Sequence, residues 1–273
     1  MKNFKRVISA VIALALSAST LVAVSAATTK FADVDSNNSY AEAIESLAAL
    51  DIVSGYEDGS FKPDGEITRA EAARMIVSAL NMNADAASSA GTTKFADVNE
   101  KASWAAGFVN VGVAQGYIHG YDDVSFGPQD NVTFAQMCVM LTTITGYGDY
   151  AAVNGGYPQG YMSMASTAGI NKGVALAAET PLKRGQVAQM VYNAVTAPML
   201  DVTAYKFDGN TYGKMDGISI EKKTLLSDKF SAVEVKASVD SFPAAGEVNV
   251  TVTDDNKYGP TAAGTMPGPP AFD

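Results

Sequence analysis

The sequence predicts a mainly α-helical protein of three related repeats that pack together around their helices, followed by a short β-rich segment. Three observations lead to this fold class. The five-residue word at residues 30–34 returns at 94–98, and a turn-rich connector at 55–63 returns at 120–128. Each connector leads into a segment whose apolar residues recur at helical spacing. A single copy of this size could not bury its own apolar stripe, so the copies are expected to pack against each other.

The chain begins with a leader that has a basic start, the apolar run 7–16 and the small-residue stretch 17–27. This order is typical of a secretory signal peptide, so residues 1–27 are predicted to be removed on export. The alternative is an uncleaved membrane anchor, which the hydroxyl residues that interrupt the run disfavour. We therefore expect no stable membrane insertion after cleavage.

The charge balance excludes some classes of partner. The chain has 19 Lys and Arg against 29 Asp and Glu, a net charge of −10, and removal of the three basic leader residues makes it −13. Nucleic acid is therefore not expected as a partner.

The single cysteine, Cys138, and the single histidine, His119, do not make a metal cluster or a Ser-His-Asp triad. We predict a protein that is not an enzyme and that has no metal or cofactor.

The repeats occupy residues 28–84, 92–148 and 149–200, and the third copy is eroded. Each copy is predicted as helix, turn-rich loop, helix, with the first helices of copies one and two near 40–50 and 104–115. The second helices start at capping boxes, Thr68 with Glu71 and Thr133 with Gln136. In the third copy, the cap is predicted at Thr180, which precedes a proline.

The words Phe-x-Asp-Val, Gly-Tyr-x-Asp-Gly-Ser-Phe-x-Pro and Thr-Arg-Ala-Glu resemble those of S-layer homology domains. This resemblance covers roughly 31–197. It implies a pseudo-threefold module with a central bundle of one helix per repeat and ligand grooves between neighbouring repeats. It also implies a secreted protein, located in the cell wall or surface layer, that attaches non-covalently to a wall polysaccharide, commonly one bearing pyruvate ketals. Other surface-layer proteins are further expected partners.

An arginine fork suits a planar carboxylate such as that of a pyruvate ketal. Arg69 follows a helix cap, so we expect its guanidinium to converge with free N–H groups of the first helical turn on one anion. Arg69 and Arg184 are predicted as the main ligand cations, and their removal is expected to leave folding intact. The second copy has Phe134 at this place, which predicts an intact groove without a cation, to which Phe134→Arg would add one.

With the resemblance, aromatic faces for sugar rings and glycines for close backbone approach complete the predicted set. For Asp33 and Asp97, a turn or cap role stays open. The predicted ligand-binding residues are Asp33, Tyr40, Gly55, Arg69, Asp97, Trp104, Gly120, Ser125, Tyr157, Gly173 and Arg184.

Beyond the repeats, alternating residues predict strands at 218–221, 233–239 and 247–252. We predict a small β module at 201–258 and a flexible Pro- and Gly-rich tail at 259–273. Two functions stay open. The chain is either a surface protein anchored by its repeats, or the anchor of a surface enzyme, such as a wall or polysaccharide hydrolase, whose catalytic region is absent from this chain.

Overall fold

The computed structural model describes residues 7–13, 31–202, 218–241, 247–252 and 265–267, with side chains at 31–200 and 223–232. The fold is mainly α-helical, as predicted. The helices are α1 (Ala41–Ala49), α2 (Arg69–Ala79), α3 (Asn83–Ser88), α4 (Ala96–Lys101), α5 (Ala106–Ala114), α6 (Phe134–Ile144), α7 (Gly148–Val153), α8 (Gln159–Thr167), α9 (Arg184–Thr196) and α10 (Leu225–Phe230). The strands are β1 (Val7–Ala13), β2 (Pro198–Val202), β3 (Ile218–Thr224), β4 (Ala232–Ser241), β5 (Glu247–Val252) and β6 (Thr265–Pro267).

Each repeat contributes an outer helix, a connector and an inner helix: α1 and α2, then α5 and α6, then α8 and α9. The three inner helices contact each other and form the central bundle. Their apolar faces carry the methionines of the common register, Met75, Met140 and Met190, all buried. The pseudo-threefold bundle implied by the resemblance is therefore present.

A closed ring of backbone hydrogen bonds joins the segments that precede the inner helices. The amide of Ile67 donates to the Leu182 carbonyl (3.2 Å), that of Leu182 to Val132 (3.0 Å), and that of Val132 to Ile67 (3.1 Å). All three side chains are fully buried. Because each repeat both donates and accepts, removing one repeat would leave unpaired buried groups on the other two.

The first two N–H groups of each inner helix are bonded to the connector of another repeat. In α2, Arg69 N donates to Asp130 O (2.8 Å) and Ala70 N to Pro128 O (3.1 Å). The corresponding bonds run from Phe134 to Thr180, Ala135 to Ala178, Arg184 to Gly65 and Gly185 to Pro63. The expectation that first-turn N–H groups are free for an anion is therefore wrong, because packing of the repeats already satisfies them.

The two predicted capping boxes are present at the starts of α2 and α6. The predicted cap at Thr180 is wrong, since α9 begins at Arg184 with Lys183 at the N-cap position. The physical reason is that Pro181 and Leu182 are extended and bonded to the second repeat, so the helix starts only after them.

The chain divides into two compact units, residues 30–225 and residues 1–29 with 226–273. The first unit includes the antiparallel pair β2–β3. The second has an antiparallel sheet with the order β1-β4-β5-β6. Part of the predicted signal peptide, Val7–Ala13, is thus a strand; its small-residue end lies outside the described residues, and cleavage stays a prediction.

The predicted flexible tail differs in part. Thr265–Pro267 pairs with β5 as a terminal edge strand, a place where proline's missing N–H is tolerated. The rest of the tail lies outside the described residues. Within the described segments, no helix is long and apolar enough to cross a membrane.

Cys138 is fully buried in α6, as expected of a core residue. Burial raises the pKa of its thiol to about 12, so the thiolate that nucleophilic chemistry requires is scarce at neutral pH.

Candidate functional site

A cavity of about 910 Å³ lies beside the first connector and is lined by side chains from all three repeats. We call it the Trp104 groove. The first repeat contributes Tyr56, Glu71 and Arg74, the second contributes Lys101 and Trp104, and the third contributes Arg184. The groove therefore exists only when the three repeats are packed together.

Arg184 forms the floor of this groove and is only 7% exposed. Its Nη2 donates to the Ser54 carbonyl (2.9 Å), and its guanidinium lies over the rings of Tyr56 (5.0 Å) and Phe61 (4.7 Å). Burial lowers the pKa of Arg184, although Tyr56 and Glu71 act in the opposite direction. Its buried Nε has no hydrogen-bond partner among the described residues.

Glu71 connects the helix cap to the groove. Its Oε2 accepts from the Thr68 amide (2.9 Å), while its Oε1 accepts from the Tyr56 hydroxyl (2.7 Å) and pairs with Nη1 of Arg184 at 3.4 Å. Burial, and then the bond to Glu71, raise the pKa of Tyr56. The capping residue therefore also orients the aromatic and cationic groups of the groove.

The second repeat has an equivalent site, which we call the Tyr121 site, and its cation comes from the first repeat. Nε of Arg69 donates to the Phe126 carbonyl and Nη2 to the His119 carbonyl, both at 2.9 Å. The guanidinium lies 4.4 Å from the Tyr121 ring centre. The hypothesis that the second groove lacks a cation is therefore wrong, because each arginine reaches across to another repeat's connector.

Phe134 occupies the place in α6 that arginine occupies in α2 and α9, and it is 1% exposed. Its amide donates to Thr180 of the third connector. The position without a cation therefore faces the third repeat, not the second.

Gly173 lies in the third connector with φ of +82°, a conformation that favours glycine.

Asp33 and Asp97 bind backbone of their own repeats. Asp33 accepts from the amides of Phe61 and Lys62, both at 2.7 Å. Asp97, which lies in α4, accepts from the amides of Phe126 and Gly127. The turn role left open by the sequence is thus observed, and ligand contact by either residue stays a prediction.

Gly55 and Gly120 make room for protein atoms. A Cβ on Gly120 would lie 2.7 Å from the Asp122 carbonyl oxygen and 2.8 Å from that of Ser125, and it would also collide with the Phe95 ring. Gly55 has the same environment, with Phe31 and the Ser60 carbonyl. These contacts explain the glycines without a ligand.

Gly120→Ala is expected to lower the free energy of unfolding by about 1 to 3 kcal/mol, since the colliding atoms include backbone. Urea unfolding of both chains would measure this. The matched control is Gly65→Ala, where the nearest atom to the new Cβ is at 3.3 Å. Equal stability of Gly120→Ala and the unmodified chain would contradict the packing role.

The predicted aromatic residues have different surroundings. Trp104 is 53% exposed and lines the groove, and Tyr157 is 55% exposed. Tyr40 packs against Gly185 at the start of α9. The carbonyl of Ser125 accepts from the Tyr121 amide, which closes the connector turn. Of the predicted set, the Trp104 groove brings together Gly55, Trp104 and Arg184.

Among the side chains that line the Trp104 groove and that sequence reasoning did not predict are Tyr56, Glu71, Arg74 and Lys101. Tyr56 and Glu71 lay within the recognised words but were read only as turn and cap residues. Arg74 lies on the helix face opposite the apolar stripe, a position that gives no signal in a single sequence. Lys101 ends a short helix that was not predicted.

Comparison with known proteins gives a family match in two regions. The S-layer homology domain model matches residues 30–73 and 94–138. The matches do not include the third repeat, so its assignment to the family stays a proposal.

Three similar proteins illustrate where such sequences occur. The Middle cell wall protein of Brevibacillus brevis is 30% identical over 235 residues, 86% of this chain and 21% of that protein. The Cell surface protein of Thermoanaerobacter kivui is 32% identical over 202 residues, 73% of this chain and 26% of that protein. Endo-1,4-beta-xylanase A of Thermoanaerobacterium saccharolyticum is 36% identical over 104 residues, 38% of this chain and 8% of that protein.

This chain thus spans about a quarter or less of these relatives. The chain contains two S-layer homology domains, at residues 30–73 and 94–138.

Proposed function

We propose that this chain is a secreted cell-surface protein that attaches non-covalently to the cell wall by binding an acidic, pyruvylated wall polysaccharide in the Trp104 groove. The names of the relatives, a cell wall protein and a cell surface protein, support the location. Other surface-layer proteins are the further proposed partners.

The observation that carries the proposal is the composition of the groove. An exposed Trp104 offers a flat apolar face to a sugar ring, and the same groove is lined by Arg184, whose buried Nε has no hydrogen-bond partner among the described residues. A neutral ring with one carboxylate matches an aromatic face beside a guanidinium. The cavity of about 910 Å³ is large enough for a short oligosaccharide.

The test is sedimentation of the full chain with purified cell-wall sacculi, before and after chemical removal of pyruvate. We expect binding to intact sacculi, with Trp104→Ala reducing the affinity at least about tenfold, because loss of one well-packed aromatic contact has effects of this size. The matched control is Val124→Ala, which removes another exposed apolar side chain outside the groove. Absence of sedimentation, or equal binding by Trp104→Ala, would contradict the proposal.

A second candidate is that these repeats anchor a surface enzyme. The similarity to part of a xylanase favours it, since related repeats there belong to an enzyme's chain. The described residues of this chain give that candidate no catalytic site of its own, so the enzyme would be further sequence or a partner. Sequencing the reading frame beyond residue 273 distinguishes the two candidates.

A further inference from the structure

Two of the four basic side chains that line the Trp104 groove are Arg74 and Lys101. Arg74 belongs to α2 and Lys101 ends α4, both line the cavity, and both side chains are exposed. The charge of Arg74 is close enough to Arg184 to lower the pKa of Arg184. Neither residue belongs to the repeated words by which the family was recognised.

The floor arginine is already engaged. Both terminal nitrogens of Arg184 have protein partners, the Ser54 carbonyl and the Glu71 carboxylate, which leaves only its buried Nε. Arg74, by contrast, forms no hydrogen bond or ion pair within residues 31–200, and its guanidinium lies 5.8 Å from the Phe108 ring centre. The positive charge of Arg74 is therefore available to a ligand, whereas the charge of Arg184 is largely compensated by Glu71.

The Tyr121 site lacks both cations. The residue that corresponds to Arg74 is Val139 in α6, and α7 ends at Val153 where α4 ends at Lys101. The charges that act on Tyr121 come from Arg69 and Asp130, and that on the neighbouring Tyr157 comes from Glu179. Four acids and four basic side chains line the Trp104 groove, so Arg74 and Lys101 supply half of its positive charge.

From this contrast we infer that Arg74 and Lys101 determine specificity: they direct an anionic substituent of a saccharide into the Trp104 groove, and the Tyr121 site accepts uncharged saccharide. This inference rests on the proposed function and assigns the two residues as ligand contacts. The anionic substituent is a carboxylate or a phosphate, because either group accepts hydrogen bonds from a guanidinium and an ammonium group.

The experiment is titration calorimetry of the full chain with three probes: a methyl hexoside carrying a pyruvate ketal, the same hexoside carrying a phosphate, and the unsubstituted hexoside. We expect the unmodified chain to prefer at least one acidic probe, with an affinity that falls as salt increases. Arg74→Gln with Lys101→Gln should reduce acidic-probe affinity about tenfold or more and leave that for the neutral hexoside unchanged. The acidic probe that responds identifies the substituent as carboxylate or phosphate.

Two further variants make the test specific. Lys172→Gln removes an exposed lysine outside the groove and should leave all three affinities unchanged. Val139→Arg with Val153→Lys places the two cations at the Tyr121 site and should raise the number of acidic-probe sites by one. Thermal melts of each variant confirm that folding is retained.

Several outcomes would overturn the inference. One is no preference for either acidic probe, and another is equal loss of acidic and neutral binding in the double variant. If acidic preference is absent while sacculi still bind and Trp104→Ala weakens them, the anchoring function stands and only the assignment of Arg74 and Lys101 fails. Failure to bind sacculi would refute the anchoring function itself.

Discussion

Arg69→Ala is expected to lower the free energy of unfolding by about 2 to 5 kcal/mol, a large fraction of the stability of an ordinary domain. The Arg69 side chain is 6% exposed and donates to two carbonyls of the second repeat, at Phe126 and His119. Alanine would leave both carbonyls without these donors and a void beneath Tyr121. This result would reverse the expectation from sequence that the arginine can be removed without affecting folding.

Urea unfolding followed by the fluorescence of the single tryptophan, Trp104, measures this change. The matched control is Arg74→Ala, which removes the same charge from the same helix at an exposed position and should cost less than about 0.5 kcal/mol. An unchanged unfolding midpoint for Arg69→Ala would show that the cross-repeat bonds contribute little.

Phe134→Arg is expected to lower the free energy of unfolding by about 4 kcal/mol or more. The side chain of Phe134 is 1% exposed, so the substitution would place a charge where an apolar ring is packed. Phe134→Leu keeps an apolar side chain and should cost about 1 to 2 kcal/mol.

Thermal melts of the two Phe134 variants, with calorimetry on any folded Phe134→Arg, distinguish packing from ligand binding. A folded Phe134→Arg with an unchanged melting temperature and one additional acidic-hexoside site would contradict the packing role and indicate a vacant site at the third connector. A large fall in melting temperature confined to Phe134→Arg would support the packing role.

The repeats could be predicted because they leave local signals. The words at 30–34 and 94–98 are visible in the sequence itself. The caps at Thr68 and Thr133 depend only on neighbouring residues, and the structure has both caps as expected. The start of α9 could not be predicted in this way. Residues just before Arg184 pair with other repeats, and tertiary pairing outweighed the local preference for a helix at Thr180.

The candidate site was harder to predict because its members come from different repeats. Because Arg69 and Arg184 occupy corresponding places in their repeats, each was expected to act in the groove of its own copy. The packing instead places Arg69 on the second connector and Arg184 on the first. Sequence similarity among repeats does not say which neighbour each helix start contacts. That assignment depends on the direction in which the repeats follow one another around the axis.

The closed ring around Ile67, Val132 and Leu182 also bears on how the module would carry mechanical load. In an open array, tension on the C-terminal side of α9 could peel away the last repeat alone. Here α9 is bonded through Arg184 and Gly185 to the connector of the first repeat. Detaching it requires shearing those bonds together with the ring, so the three repeats would resist tension as one mechanical unit.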